Sequence, residues 1–222
     1  MRHLLPLVIL GLMLMHGVSN AATSASEEVC AKLAPHGSNA VQLAIPGINL
    51  DESHSTSEDM AVMSGLYNEP HRSIGGLTTA QPLVEYVVSP NMAILPDRSG
   101  VCVRPSLQLT LGYSELNVYM DREIPRASCI YNAIFAHEMH HVAIYKDYLA
   151  KHLEQFRGLV DQKFNGRTYF FPAIFEAKQY VDILGQVLVQ RIQSTFFSEV
   201  FAEQHALDTL GEYTRMQSEC GH

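Results

Sequence analysis

Residues His137 to His141 read His-Glu-Met-His-His, so the first and last histidines are separated by three positions. In an α-helix, residues four apart lie one turn above each other on the same face, and His137 and His141 could bind one metal ion together. Glu138 is rotated from His137 by about 100°, which brings its carboxylate within reach of a water at that metal. The segment predicts two metal ligands and a general base, Glu138, with Zn²⁺ as the cofactor.

The residues around this motif predict that it lies on the buried side of a helix. Apolar residues recur at spacings of four and three in register with the two histidines, as in a helix that faces a core: Ile130, Ile134, Ile144 and Tyr148. A buried imidazole requires a polar partner, and a metal ion can supply one. His140 lies off this stripe and is expected at the surface.

A small antiparallel sheet is predicted before the motif helix. Apolar and polar residues alternate at 107–111 and again at 116–120, and Gly112-Tyr113-Ser114-Glu115 between them is typical of a turn. We therefore expect a β-hairpin here, with one buried face. Further strands are expected at 83–88 and 101–103.

A long helical hairpin is predicted after the sheet. The pattern is helical from Pro125 to about residue 164, is interrupted by Asn165-Gly166-Arg167-Thr168, and becomes helical again near Pro172. The expected fold class is therefore α+β: a small antiparallel sheet followed by a long antiparallel helical hairpin that carries the metal site.

Residues 1–21 are typical of a secretory signal peptide, because a short basic start precedes an apolar run and small residues follow at 19–21. An uncleaved anchor is the alternative. Residues 22–82 are expected to be a loop-rich segment with one short strand at 41–45, forming a single domain with residues 83–222. The signal peptide predicts a secreted or periplasmic protein with no stable membrane association after cleavage.

The charge and the cysteines limit the class of protein further. The formal net charge is −8 and no cluster of Lys and Arg is present, which argues against nucleic acid as a partner. Four cysteines in an exported chain predict two disulfides. Of the three pairings, we favour Cys30 with Cys102 and Cys129 with Cys220, because the second bond would tie the C-terminal end to the start of the motif helix.

A catalytic zinc normally has three protein ligands, and the second long helix offers the third. Glu199 is the one acid in its predicted apolar stripe, and the midpoint of residues 137 and 199, residue 168, falls in the predicted connection between the helices. Glu199 should therefore lie opposite His137. Glu203, one turn further on, is expected to accept a hydrogen bond from a ligand histidine. If the helix phase differs by one turn, Glu203 becomes the ligand instead.

The motif His137-Glu138-x-x-His141, followed by Glu199-Val200-Phe201-Ala202-Glu203, resembles the gluzincin clan of zinc metallopeptidases. The Glu-x-x-Ala-acid pattern is similar to the heat-shock and prenyl-protein zinc endopeptidases of that clan, in which the last acid is usually Asp. The resemblance covers about 30 residues of the two helices. It implies a zincin-like metallopeptidase core at 83–222, with Glu199 as the third zinc ligand. It also implies that the strand nearest the motif helix, Leu116 to Met120, is an edge strand that could hold an extended peptide by backbone hydrogen bonds.

These observations together predict an exported zinc peptidase that hydrolyses peptide bonds through a metal-activated water, with a peptide or protein as substrate. One alternative is another zinc amide hydrolase that acts on cell-wall peptides. A second alternative is a non-catalytic exported binding protein with a structural or vestigial metal site. The oligomeric state is not indicated by the sequence.

Overall fold

The computed structural model of the chain describes residues 27–33, 38–65 and 74–221. The predicted signal peptide lies outside these residues. Within the described ranges, no helix is both long and apolar enough to cross a membrane. The architecture is α+β, with one sheet packed against long helices.

A single long strand, β4 (Val101–Met120), organises the sheet. It pairs in antiparallel fashion along its whole length with β3 (Gly76–Ile94). Three short strands pair with it as well: β1 (Ala40–Ala44) and β2 (Ile48–Asp51) in parallel, and β5 (Tyr169–Phe171) in antiparallel orientation. The sheet is therefore mixed, and the prediction of a purely antiparallel sheet is wrong.

The predicted hairpin at 107–120 is also wrong, because these residues belong to one continuous strand. The alternation that suggested two strands changes phase at a β-bulge: Gln81 pairs with Glu115 and Pro82 pairs with Tyr113, so Ser114 is the extra residue. From Leu107 to Tyr113 the buried side chains stand at odd positions, and from Leu116 onward they stand at even positions. Because of the bulge, the same face of the strand stays buried although the alternation of buried and exposed residues shifts by one position.

Gly112 stands beside this bulge because a neighbouring chain segment passes very close to it. A Cβ atom at this position would lie 2.0 Å from the main-chain oxygen of Ala44 in β1. The glycine that suggested a turn therefore allows β1 to pack against β4. Further along β4, Leu116 to Met120 pair with β2 on one side and with β3 on the other, so they do not form the expected edge strand.

The segment before the sheet contains more regular structure than its composition indicates. Besides β1, which matches the strand expected at 41–45, it includes β2, a helical stretch at residues 27–31 (α1) and a short helix α2 (Ser57–Met63). Thr56 begins α2 through a capping box with Asp59. β1 and β2 are strands because each pairs with the edge of β4 that β3 does not occupy.

The helical hairpin is present and its predicted limits are close to those observed. The first helix, α3 (Cys129–Lys163), begins where the Ser128 side chain accepts a hydrogen bond from the Tyr131 main-chain N–H. The second, α4 (Ile174–Leu207), follows a connection that contains β5, and a final helix, α5 (Leu210–Glu219), comes after a sharp corner at Asp208 and Thr209.

The two long helices cover one face of the sheet. Alternate side chains of β4 meet large side chains of α3 and α4 in one apolar core, which includes Leu107, Leu109, Leu111, Phe156 and Phe196. Contacts between the helices run in opposite sequence order, from His141 with Gln204 to Phe156 with Phe196, so the helices are antiparallel. The part of α3 that packs in this core begins at Tyr145, about one turn after the motif.

Both predicted disulfides are confirmed: Cys30 bonds Cys102, and Cys129 bonds Cys220. The first bond ties the segment before the sheet to β4. The second joins the first residue of α3 to the residue that follows α5, so it closes a loop around the whole hairpin. Two disulfides indicate an oxidising, extracytoplasmic compartment.

Candidate metal centre

The two motif histidines lie on the buried face of α3, as predicted, and point at a carboxylate. His137 and His141 are 3% and 7% exposed. Their Nε2 atoms are 3.1 Å apart, and each lies close to Oδ1 of Asp208, at 3.1 Å from His137 and 3.0 Å from His141. One ligand atom from each residue falls within 4.8 Å of the others, so these three residues could hold a metal ion.

Asp208 reaches the histidines because α4 ends just before it. The chain leaves the helix at Asp208 and starts α5 at Thr209, whose side chain accepts a hydrogen bond from the Glu212 main-chain N–H. On α5, one turn further on, the Tyr213 hydroxyl donates a hydrogen bond to Oδ1 of Asp208 at 3.2 Å. The carboxylate is therefore held at a corner between two helices.

The two imidazoles favour the charged form of the Asp208 carboxylate. Burial raises the pKa of Asp208, but hydrogen bonds and charge from His137 and His141 outweigh burial and hold the pKa well below its ordinary value. Burial likewise lowers the pKa of His141, but hydrogen bonds to Asp208 and Gln204 exceed that effect and raise it. A divalent cation would face the same three atoms, Nε2 of each histidine and Oδ1 of Asp208.

The second ring nitrogen of each histidine has a different environment. Nδ1 of His141 meets the side-chain oxygen of Gln204, and the amide nitrogen of Gln204 donates to the main-chain oxygen of His141 at 3.1 Å. Nδ1 of His137 is buried without a hydrogen bond. The nearest carboxylate oxygen to it is Oε1 of Glu212, at 3.8 Å.

Glu138 is buried beside the two histidines and is held by β3. The Thr78 hydroxyl donates a hydrogen bond to Oε2 of Glu138 at 2.7 Å. Gly76 leaves room for this side chain, since a Cβ atom there would lie 2.8 Å from Oε1 of Glu138. Burial raises the pKa of Glu138, while Thr78 and the two histidines oppose that rise. A raised pKa suits a carboxylate that accepts and returns a proton near neutral pH.

The structure does not bring Glu199 or Glu203 to the histidines. Glu199 is exposed and its carboxylate accepts a hydrogen bond from the Tyr148 hydroxyl; Glu203 is exposed as well. The buried residue at this level of α4 is Gln204, and it occupies the position expected for Glu203 as hydrogen-bond partner of a ligand histidine. Among the described residues, the carboxylate that meets the histidine pair is that of Asp208.

The difference comes from the phase of α4. Its buried face continues at intervals of four residues through Leu188, Ile192, Phe196, Val200 and Gln204. The stripe predicted from the sequence instead continued from Ile192 to Thr195 and Glu199, at intervals of three and four. The connection also contains β5, which moves the centre of the hairpin toward the C-terminus. His140 is exposed, as expected.

The donor set fits a divalent metal ion. Two imidazole nitrogens and one carboxylate oxygen are the ligand types of catalytic zinc sites, which keep a further position open. The side chains of His137 and His141 are almost fully buried, while that of Asp208 is 37% exposed. The group is therefore closed on the helix side and open to solvent on the side of the corner.

No protein-family model matches the chain, and neither a curated protein nor a solved structure matches it. The resemblance to gluzincins consequently rests on the motif residues alone. The chemistry that the chain can perform must therefore be inferred from the geometry of this site.

Proposed function

We propose that the protein is an exported zinc hydrolase, secreted or periplasmic, that cleaves peptide bonds in a peptide or protein substrate. The observation that supports this most strongly is the convergence of His137, His141 and Asp208 next to the buried carboxylate of Glu138. A purely structural metal site requires ligands but no base beside them. This site combines three ligands with such a base.

We assign the metal ligands as His137, His141 and Asp208, in place of the set with Glu199. The support is the distances from Oδ1 of Asp208 to both Nε2 atoms, whereas the Glu199 carboxylate is bonded to Tyr148. Gln204 fixes the orientation of His141, because its side-chain oxygen can accept only from a protonated Nδ1 and leaves Nε2 for the metal.

A divalent ion bound there would act as a Lewis acid and lower the pKa of a water molecule toward neutrality. Glu138 would accept the proton of the attacking water at its carboxylate and would deliver it to the leaving amine. Thr78 orients this carboxylate through the hydrogen bond to Oε2. The buried surroundings exclude other water from Glu138 and keep its pKa raised.

The neighbouring edge of β3 is our candidate for the substrate-binding strand. Among the described residues β3 pairs with β4 alone, and its first residues include Gly76 and Thr78, which contact Glu138. An extended peptide added along this edge would pass the general base and would be held by main-chain hydrogen bonds. This assignment replaces the one at Leu116 to Met120, which lie inside the sheet.

The test is zinc content together with hydrolysis. The mature protein should bind one zinc per chain, and Glu138→Gln should keep the zinc and lose about 10²- to 10⁴-fold in hydrolysis of a peptide library. A panel that includes cell-wall peptides distinguishes a general peptidase from an amide hydrolase of narrower substrate class. Absence of zinc from folded, zinc-replete protein would refute the proposal, and so would unchanged hydrolysis in the Glu138→Gln variant.

A further inference from the structure

We propose that Glu212 is a positioning residue of the metal centre: its carboxylate accepts a hydrogen bond from Nδ1 of His137 when His137 binds the metal through Nε2. The inference rests on the metal site proposed above. It assigns to α5 a direct part in holding a ligand that belongs to α3.

The buried nitrogen of His137 calls for such a partner. His137 is 3% exposed, and its Nδ1 has no hydrogen bond. A buried polar atom without a partner costs free energy, and native proteins contain few of them. When Nε2 binds a metal, a neutral imidazole carries its proton on Nδ1, so the need for an acceptor becomes stronger.

Glu212 is the acceptor that the structure offers. Its Oε1 lies 3.8 Å from Nδ1 of His137, slightly beyond hydrogen-bond range. A small movement of the imidazole away from Asp208 would close this gap. His137 Nε2 is now within 3.1 Å of both Asp208 Oδ1 and His141 Nε2, and an ion between these atoms would separate them.

The Glu212 carboxylate is charged and held in place. Arg215 donates to both of its oxygens, from Nε at 3.0 Å and from Nη2 at 2.5 Å. The same Arg215 binds Glu219 at 2.6 Å, so Arg215 is shared by two acids of one helix. The hydrogen bond from Arg215 lowers the pKa of Glu212, with burial opposing it, and the group is an anion at neutral pH.

The two ligand histidines would then be supported in different ways. His141 has a neutral amide acceptor on α4, already in contact with Nδ1. His137 would have a carboxylate on α5, which makes its imidazole more basic and a better donor to the metal. Docking of α5 against α3 and metal binding would thereby strengthen each other.

The experiment compares Glu212→Gln with Glu219→Gln in the full mature chain. Both substitutions remove one negative charge and one carboxylate partner of Arg215, but only Glu212 faces His137. Zinc affinity is measured by competition with a chelator, and the melting temperature is measured with and without zinc. Glu212→Gln should weaken zinc binding about 10- to 100-fold, while Glu219→Gln should leave it within about threefold of the parent.

A proton NMR spectrum of the zinc-loaded protein gives a second readout. A hydrogen-bonded Nδ1–H of His137 should appear as a slowly exchanging imidazole resonance in the parent and in Glu219→Gln, and it should shift upfield in Glu212→Gln. Equal zinc affinity in the parent and Glu212→Gln would overturn the inference. Equal losses in both variants would also overturn it, because the effect would then act through Arg215. A parent that binds no zinc would instead refute the metal site itself.

Discussion

The candidate metal centre has two halves that are held in place in different ways. His137, Glu138 and His141 lie on one turn of a 35-residue helix, all of them buried, and the sheet and α4 pack directly against them. Asp208, Glu212 and Tyr213 lie at a corner and on a short helix with one buried residue, Met216. Helix geometry positions the first half, whereas the second half is positioned by tertiary contacts of α5 and of the corner before it.

This difference indicates which property of the site each half controls, metal affinity or chemistry. A helix places residues four apart on one face without help from tertiary structure. The corner depends on the end of α4, the cap at Thr209 and the bond between Cys129 and Cys220. We therefore expect substitutions around the corner to alter metal affinity, whereas a substitution beside Glu138 should alter the chemistry and leave metal affinity unchanged.

The largest effect should come from removing the third ligand. Asp208→Ala should weaken zinc binding more than about 100-fold, since loss of a ligand exceeds loss of a residue that only supports one. Glu199→Ala serves as the comparison, and it should change zinc affinity little because Glu199 bonds Tyr148. Zinc titration of both variants decides between the two carboxylates; a large loss in Glu199→Ala with none in Asp208→Ala would reverse the assignment.

The second effect concerns the disulfide between Cys129 and Cys220, which joins the end of α5 to the start of α3. Replacing Cys129 and Cys220 by Ser should reduce zinc affinity about tenfold, and it should lower the free energy of unfolding by about 2–4 kcal/mol. Replacing Cys30 and Cys102 by Ser is the matched control, with a similar loss of stability and unchanged zinc affinity, because that bond lies away from the site. If both double variants bind zinc as the parent does, the disulfide has no part in holding Asp208.

The smallest effect concerns Glu138, in the half of the site that lies on α3. Thr78→Val removes the hydrogen bond to Glu138, and we expect a loss of about fivefold in kcat/KM with zinc affinity unchanged, in line with one hydrogen bond of ~1 kcal/mol. This hydrogen bond lowers the pKa of Glu138 against the effect of burial. Without it the pKa rises further, so activity should fall at a higher pH as the solution is acidified.

Thr79→Val is the control for that change, because adjacent residues of a strand point to opposite faces. Its pH profile should match that of the parent. An acid limb at the same pH in Thr78→Val and the parent would show that Thr78 does not set the protonation of Glu138.

The same contrast explains what could be predicted from the sequence. The buried face of α3, the surface position of His140 and the helical hairpin follow from local periodicity, and the structure agrees with them. Both disulfides agree as well, although three pairings were open. The helical features depend on residues near one another in the sequence. The number of disulfides follows from the count of cysteines, whereas their pairing was a choice among three possibilities.

The remaining features depend on contacts between distant residues. Ser114 forms a bulge instead of a turn because β3 pairs with β4 on both sides of it, and residues 112–115 alone contain no sign of that partner. Asp208 reaches the site because α4 keeps an interval of four and then ends. At this level of α4 the predicted stripe differed from the buried face by one residue, with Glu199 in place of Val200, and that difference favoured Glu199. An Asp-Thr pair after a long helix does mark a helix break and a new cap, and that signal could have directed attention to Asp208.

The central place of β4 has a consequence for how the chain folds. Within the described residues, every other strand pairs with β4, and β3 alone is its close neighbour in sequence. β1 and β2 must each close a loop of more than 60 residues to reach it, which is slow compared with forming the β3–β4 hairpin. We expect that hairpin to form first and the corner at Asp208 to be completed among the last steps. For the exported hydrolase proposed above, this order would mean that a chain in transit across a membrane has no assembled metal centre, so that hydrolysis begins only once folding is finished.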